Sequence, residues 1–300
     1  MRQTAYTASM FEGFDSFDHV IGEVSLHGRI GGSGPPLLLL HGYPQTHVMW
    51  HKMAPQLAER FTVIAPDLRG YGASTCPATR PDHAQMSKRA MAADMVALMA
   101  TLGFSHFDIL SHDRGARVAH RLAMDTPEAV RKLIILDIAP TREMYANTTL
   151  GFARAYAHWF YLTEPYPLPE RMISANPQDF WDKKCMFGAA GNGPFTPEAR
   201  AAYHAAFDNP DVIHASCEDY RAAATVDIAH DDADGDAKLT CPVHVLWGAH
   251  GAIEAFFDCL SLWRLRADQV TGKSLPGAHY LAEELPEMVL EETVAFLAHR

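Results

Sequence analysis

The segment from Phe107 to Met124 constrains the fold of this chain more than any other. Residues 107–110 are mostly apolar and typical of a buried strand, and residues 118–124 are typical of a helix. Ser-His-Asp-Arg-Gly-Ala-Arg stands between them at 111–117. A small residue, a central nucleophile and a following glycine between a strand and a helix predict a sharp turn that exposes Asp113 at the end of a sheet.

The nucleophile predicted at this turn is a carboxylate, whereas lipases and esterases carry serine there. A carboxylate that attacks an acyl group gives only an anhydride, but attack on an sp³ carbon with a leaving group gives an ester that water can cleave. We therefore expect an alkyl electrophile as substrate, such as a haloalkane, a haloacid or an epoxide. The alternative is that Asp113 merely caps the helix that begins near Arg114.

Apolar runs separated by stretches long enough for crossover helices predict the strands. These runs are Pro36 to Leu40, Phe61 to Ala65, Phe107 to Leu110, Leu133 to Ile138 and Val243 to Trp247. Such alternation is typical of an α/β protein whose mostly parallel sheet is flanked by helices. Because residues from about 140 to 226 show helical periodicity instead, we expect a core domain of 1–140 and 227–300 with an inserted helical cap, 141–226. The acidic run 231–236 is expected to be a solvated loop.

Hydrolysis of an ester on Asp113 needs a base that activates water. His279 lies after the last predicted strand and just before the C-terminal helix, the position expected for the histidine that serves such a turn. The base in turn needs a carboxylate that holds its tautomer. Asp137, at the carboxyl end of a predicted strand, is our candidate. Glu254 is the alternative, because the loop after Trp247 contains no aspartate.

Two backbone N–H groups are candidates for holding the carbonyl oxygen of that ester. One belongs to Tyr43, in the His41-Gly42-Tyr43-Pro44 turn that follows a predicted strand, and the other belongs to Arg114. His41 is expected to border the pocket, to be buried in a tight turn, or both.

Two arginines point to an anionic substrate. Arg114 directly follows the nucleophile, and Arg117 lies one helical turn later on the same face, so that both guanidinium groups can grip one planar anion. The formal net charge of the chain is -11, so attraction of an anion must come from cations placed locally. The alternative for Arg117 is a surface ion pair with an acid such as Asp125.

These motifs together resemble the haloacetate dehalogenases, and most closely the fluoroacetate dehalogenases of the α/β-hydrolase fold. The resemblance runs from about residue 31 to the C-terminus. Its most specific segments are His-Asp-Arg-Gly-Ala-Arg at 112–117, Leu-Asp-Ile at 136–138, His-Trp at 158–159, Cys-Glu-Asp-Tyr-Arg at 217–221 and Gly-Ala-His at 277–279.

The resemblance implies the α/β-hydrolase fold, with Asp113 as nucleophile, Arg114 and Arg117 as carboxylate clamp, and His279 with Asp137 as the water-activating pair. It also implies that a second group of side chains surrounds the departing halide: His158, Trp159 and Tyr220. Phe187 lies near the place where members of the family often carry a tryptophan that faces the substrate, and Tyr43 stands where phenylalanine is common. Preference among fluoro-, chloro- and larger 2-haloacids is therefore open.

We predict hydrolysis of a 2-haloacetate to glycolate and halide through an aspartyl ester, with no metal or organic cofactor. An epoxide hydrolase with the same nucleophile and a non-catalytic receptor are the alternatives. Neither nucleic acid nor a membrane is expected as a partner, because the chain is acidic and has no basic run. The family resemblance suggests a homodimer. Five scattered cysteines and the lack of a signal-peptide pattern favour reduced thiols and a cytoplasmic location.

Overall fold

The computed structural model describes residues 10–185 and 193–298 and contains a single eight-stranded sheet within them. The strands are β1 (Phe14–Ile21), β2 (Val24–Gly31), β3 (Pro36–Leu40), β4 (Thr62–Pro66), β5 (Phe107–His112), β6 (Val130–Leu136), β7 (Val243–Gly248) and β8 (Val270–Leu275). Their order across the sheet is β1-β2-β4-β3-β5-β6-β7-β8. Only the pairs β1–β2 and β2–β4 are antiparallel, so the predicted mostly parallel sheet is confirmed.

The central strands are the apolar runs of the sequence, because helices cover both faces of a parallel sheet and both faces must then be apolar. Every residue of β5 is buried, and so are the last four residues of β3 and of β6. All five predicted strands occur, with shifts of up to three residues at their ends. β1 and β2 form an edge hairpin. Both strands are polar and half-exposed, so apolar runs in the sequence do not predict them.

Helices fill the connections between the strands. Within the described residues they are α1 (Ala54–Leu57), α2 (Lys88–Thr101), α3 (Asp113–Asp125), α4 (Thr141–Ala146), α5 (Leu150–Ala155), α6 (Ala157–Tyr161), α7 (Leu168–Ser174), α8 (Pro177–Cys185), α9 (Pro197–Phe207), α10 (Pro210–Ala224), α11 (Val226–Asp234), α12 (Ala252–Phe256), α13 (Cys259–Arg264), α14 (Leu281–Glu284) and α15 (Pro286–Ala298), with short 3-10 helices at His47–Trp50, Ala84–Met86 and Pro127–Ala129. None of these helices is long and apolar enough to cross a bilayer.

The connection between β6 and β7 carries α4 to α11, the inserted helical segment that the sequence predicts. Its helices extend to Asp234, so the loop expected at 231–236 is helical at 231–234, although residues 232, 233, 235 and 236 are exposed to solvent as expected. Asp231 and Asp234 instead bind the guanidinium of Arg121 on α3, at 2.8 and 2.5 Å. The two carboxylates are held because a buried guanidinium needs a counter-charge.

The carboxyl ends of the parallel strands bring the candidate residues to one edge of the sheet. His41 follows β3, Asp113 follows β5, Asp137 follows β6, and Gly248 ends β7. Sites in open parallel sheets form at this edge, where loops from neighbouring strands meet. The inserted helices contribute the side chains that cover it.

Candidate active site

The turn at Asp113 is a strained elbow. Asp113 has a φ of +46°, a left-handed conformation that costs a non-glycine residue about 1 to 2 kcal/mol. Two glycines permit the close packing around it. A Cβ at Gly42 would lie 2.6 Å from the Cβ of Asp113, and one at Gly115 would lie 2.4 Å from the carbonyl oxygen of His41. The elbow is therefore held against the turn after β3 by backbone contacts that only glycine allows.

The Asp113 carboxylate is buried, ionised and oriented. The backbone N–H of Tyr43 donates to Oδ1 at 2.9 Å, and Oδ2 makes no hydrogen bond with the residues described. Burial alone would raise the pKa of Asp113, but the charges of His279, His112 and the neighbouring arginines outweigh it and lower the pKa to about 2. The N–H of Tyr43 thus distinguishes the two carboxylate oxygens of Asp113.

The predicted base and its carboxylate are in contact. His279 Nδ1 lies 2.6 Å from Asp137 Oδ2, and the backbone N–H of Gly248 donates to Asp137 Oδ1 at 2.8 Å. Burial raises the pKa of Asp137, and these two hydrogen bonds oppose that rise. The alternative carboxylate, Glu254, accepts a hydrogen bond from the indole of Trp247 instead. With Nδ1 committed to Asp137, the other ring nitrogen of His279 is left for water.

Arg114 is fully buried and held by a carboxylate that the sequence did not suggest. Its Nε donates to Asp219 Oδ2 at 3.0 Å and its Nη2 donates to Oδ1 at 2.5 Å, so one edge of the guanidinium is occupied. Burial alone would lower the pKa of Arg114, but Asp219 holds it well above the usual value. Nη1 has no hydrogen-bond partner among the described residues and remains available to a ligand.

Arg117 is buried without an ion pair in the described part of the chain. Its Nη1 donates to the hydroxyl of Thr141 at 2.6 Å, Nη2 lies 3.3 Å from the sulfur of Met144, and Nε has no partner there. Burial and the charge of Arg114 lower its pKa. The alternative pairing with Asp125 is not present, since Asp125 instead binds Arg89 and Arg121.

The three side chains expected around a halide lie together over the arginines. The ring of Tyr220 is 4.1 Å from the guanidinium carbon of Arg114, and the ring of Trp159 is 4.7 Å from that of Arg117. The ring centroids of His158 and Tyr220 are 5.7 Å apart. Nε1 of the buried Trp159 has no partner among the described residues. A buried N–H group without a partner can donate a hydrogen bond to a halide ion.

Three further predictions concern His41, Phe187 and the backbone N–H of Arg114. His41 is fully buried behind the elbow, where its Nε2 accepts a hydrogen bond from the backbone N–H of Leu68 and its Nδ1 faces the carbonyl of Gly42. It supports the turn that carries Tyr43. Phe187 lies outside the described residues. The role of the Arg114 backbone N–H toward an ester carbonyl stays a prediction.

Sequence reasoning missed the charged network behind Arg114. The carboxylate of Asp219 also contacts Nζ of Lys88 and accepts a hydrogen bond from the hydroxyl of Tyr71 at 2.6 Å. Asp219 stands next to Tyr220 in the Cys-Glu-Asp-Tyr-Arg segment, so the sequence contained a signal for it. Lys88 begins α2, far from any recognised motif, and nothing in its surroundings in the sequence marked it.

We expect Asp219→Asn to lower the free energy of unfolding by about 3 to 5 kcal/mol, because the change leaves the cations of Arg114 and Lys88 buried with less counter-charge. Asp125→Asn is the matched control, since Asp125 also binds two cations but is partly exposed, and its loss should cost about 1 kcal/mol or less. Urea denaturation measures both. Equal losses in the two variants would contradict this role of Asp219.

A cleft of about 410 Å³ reaches the candidate site from solvent. We call it the mouth cleft and define it by Tyr156, His158, Lys184, His279 and Tyr280, which are among its lining residues. The hydroxyl of Tyr156 lies 3.5 Å from Nδ1 of His279. His158 and His279 both line the cleft, and the charge of His279 acts on the Asp113 carboxylate, so the cleft lies beside the candidate site.

Comparison with known proteins places this chain among the α/β hydrolases. A family model described as the alpha/beta hydrolase fold matches residues 35–224. The chain is 44% identical to a fluoroacetate dehalogenase from a Burkholderia species over 280 residues, 93% of this chain and 92% of that one. It is 32% identical to a soluble epoxide hydrolase from Corynebacterium sp. (strain C12), over 91% of this chain and 93% of that one.

A solved structure from Nostoc sp. PCC 7120, whose assignment as an α/β hydrolase is provisional, superposes with a TM-score of 0.93. The two chains are 51% identical, and the match covers 97% of this chain and 100% of the other. The architecture and the order of the elements are thus shared along nearly the whole length of the two proteins.

Proposed function

Because the chain belongs to the haloacetate dehalogenase family of the α/β-hydrolase fold, and is therefore a hydrolase, we propose that it cleaves the carbon–halogen bond of a 2-haloacetate such as fluoroacetate or chloroacetate. The products are glycolate and halide, formed through an ester on Asp113. The proposal rests on the substrate-binding surface, because relatives with epoxide hydrolase activity share the rest of the fold.

One observation carries the choice of an anionic substrate. Arg117 is buried, with 3% of its surface exposed, and no carboxylate in the described part of the chain binds its guanidinium. The charge of Asp113 acts on Arg117 from beyond salt-bridge distance, and a ligand carboxylate can supply the direct ion pair that the guanidinium lacks. Arg114 offers Nη1 beside it. One carboxylate can accept hydrogen bonds from both guanidinium groups, each contributing about 1.5 to 3 kcal/mol.

The first chemical step follows from the orientation of Asp113. Tyr43 N–H occupies Oδ1, so Oδ2 attacks the carbon that bears the halogen, from the side opposite the leaving halide. The carbon–halogen bond breaks as the carbon–oxygen bond forms, and the halide leaves with the electron pair. We assign Trp159, His158 and Tyr220 as the donors that receive it, because a small anion that leaves water needs several hydrogen bonds at once.

The second step cleaves the ester at its carbonyl carbon. His279 takes a proton from water, Asp137 stabilises the resulting imidazolium, and hydroxide adds to Cγ of Asp113. Negative charge then develops on Oδ1, where the Tyr43 N–H already lies. Collapse of this intermediate breaks the bond from Cγ to the glycolyl oxygen, which takes the proton from the imidazolium of His279 and leaves as glycolate. The carboxyl group of Asp113 then loses its remaining proton to solvent, which restores the carboxylate.

An epoxide hydrolase is the second candidate, because cap tyrosines that could protonate an epoxide oxygen are present. Tyr220 lies in the site and Tyr156 lies beside His279, whereas the hydroxyl of Tyr203 is committed to Glu283. A neutral epoxide would form no ion pair with Arg117, whose guanidinium is not hydrogen-bonded to any described carboxylate. The electrostatics of the site therefore favour the haloacid.

A single turnover with enzyme in excess over chloroacetate, in water labelled with oxygen-18, tests the covalent mechanism. We expect unlabelled glycolate, with the isotope in the Asp113 carboxylate, because water attacks the carbonyl carbon of the ester. Mass spectrometry of the product and of the peptide that contains Asp113 measures both.

Labelled glycolate from the first turnover would mean that water attacks the substrate directly, which would contradict the nucleophilic role of Asp113. An epoxide hydrolase would open a simple epoxide and release no halide from chloroacetate. A receptor without turnover would do neither. The same protein preparation thus separates the three functions by their products.

A further inference from the structure

Lys184 lies in the mouth cleft, at the end of α8, and no step of the proposed reaction uses it. Its ammonium group is 5.9 Å from the centroid of the Tyr43 ring and 6.0 Å from that of Tyr280. Tyr280 lines the mouth cleft, and the backbone N–H of Tyr43 binds Asp113. The charge of Lys184 also contributes, after burial, to lowering the pKa of His158, so it acts on the interior of the site.

Lys184 differs from its neighbour in its partners. Lys183 is exposed and its Nζ lies 3.2 Å from the carboxylate of Asp179, one turn earlier on the same helix. Lys184 has no carboxylate within salt-bridge distance among residues 10–185 and 193–298; its one hydrogen bond there is a long contact of 3.5 Å with the hydroxyl of Tyr280. No described carboxylate therefore pairs directly with Lys184. Glu284 also lines the mouth cleft, but its carboxylate accepts hydrogen bonds from the backbone N–H groups of Ala278 and Tyr280.

A positive charge in the mouth cleft would offset the long-range repulsion between this acidic chain and an anionic substrate. The formal net charge of the chain is -11, which repels anions at long range. Arg114 and Arg117 are buried and act at short range. A partly exposed cation in the cleft acts farther out, because a narrow cleft between low-dielectric walls concentrates its field.

We propose that Lys184 is a specificity-determining residue that raises the local concentration of small carboxylates in the mouth cleft and so favours anionic over neutral substrates. Lys184 does not touch the reacting atoms; the buried arginines receive the anion from the cleft. The inference rests on the proposed function for its substrate class, but the binding of a plain carboxylate tests it separately.

The test compares Lys184→Met with Lys183→Met, which removes the neighbouring charge from the same helix. Two quantities are measured: the KM and kcat for chloroacetate, and the Kd of acetate by titration calorimetry. At an ionic strength of about 10 mM, we expect Lys184→Met to raise both the KM for chloroacetate and the Kd of acetate about threefold to tenfold and to leave kcat unchanged. Lys183→Met should match the unchanged protein.

Salt separates the field of Lys184 from a direct contact. Raising the ionic strength to about 1 M with sodium sulfate shortens the Debye length from about 30 Å to about 3 Å, so the difference between the two variants should shrink toward none. Lys184→Glu should weaken acetate binding more than Lys184→Met does at low salt. A neutral ligand, acetamide, should inhibit all four proteins equally.

Several results would overturn the proposal. These are equal Kd values for acetate in the two methionine variants, a weakening that salt does not change, a loss confined to kcat, or no binding of acetate by the unchanged protein. Failure of the proposed function shows itself differently. In that case chloroacetate releases no halide, while the Kd of acetate still responds to Lys184 and to salt.

Discussion

His279→Ala releases one halide per active site from chloroacetate and then stalls, with a glycolyl ester on Asp113. The first step uses Asp113, the two arginines and the donors proposed for the halide, and the substitution leaves all of them in place. The second step needs a base, and general bases contribute about 10²- to 10⁴-fold to such reactions. Loss of His279 therefore stops turnover at the ester and not before it.

Within residues 10–185 and 193–298, His112 is the histidine whose ring lies next to that of His279, and it is not placed to substitute for it. The ring centroid of His112 is 4.7 Å from that of His279, but its Nε2 is bound to the carbonyl oxygen of His279 at 2.8 Å. Burial and the charge of His279 lower the pKa of His112 to about 3, so it does not hold a proton at neutral pH. Among the described residues, Asp137 is bound to His279 and not to His112.

Rapid mixing with ion chromatography measures the halide released, and intact-protein mass spectrometry measures the ester. The control is His244→Gln, since His244 on β7 also faces a carboxylate, Glu292, but at 3.3 Å and away from the residues of the site. It should keep many turnovers. Continued turnover by His279→Ala at the rate of the unchanged protein would remove His279 from the mechanism.

Arg114→Ala lowers kcat/KM for chloroacetate by about 10³-fold or more, through kcat as well as KM. A site built to hydrogen-bond a substrate group discriminates strongly when one partner is removed. Without Nη1 of Arg114, the carboxylate of the substrate is held by Arg117 alone and is free to rotate. The halogen-bearing carbon then spends less time in line with Oδ2 of Asp113.

Arg114→Lys tests whether activity needs only the positive charge at this position or also the hydrogen-bonding geometry of a guanidinium group. Lysine keeps the positive charge, but a single ammonium cannot bind Asp219 with two parallel hydrogen bonds and still present a donor to the substrate. We therefore expect Arg114→Lys to fold as the unchanged protein does and to lose most of the activity. Full activity of this variant would show that only the charge matters.

The control for both substitutions is Arg131→Ala. Arg131 lies near the amino end of β6, about 41% of its side chain is exposed, and it binds Asp108 at the opposite end of β5 from Asp113. Its loss should change kcat/KM by less than about twofold. Steady-state kinetics measures kcat and KM of each variant, and circular dichroism shows whether each variant is folded. A rise in KM at unchanged kcat in Arg114→Ala would contradict the positioning role of Arg114.

Much of the candidate site could be predicted because it consists of short segments with fixed positions in the fold. A strand followed by a turn and a helix places Asp113 at the sheet edge, and parallel strands bring Asp137 and His279 to the same edge. The spacing of three residues on α3 puts Arg114 and Arg117 on one face. Each of these relations is local or follows from the direction of the strands.

The sequence by itself determined the apolar strands, the elbow, the nucleophile and the two arginines, because those depend on residue types at short spacing. Only the tertiary structure decided which carboxylates neutralise the buried cations: Asp219 binds Arg114 across 105 positions of chain, and no carboxylate described binds Arg117. The cation of Lys184 reaches the mouth cleft in the same way. Pairing between distant charges depends on how helices from different parts of the chain pack, and local patterns carry no record of that packing.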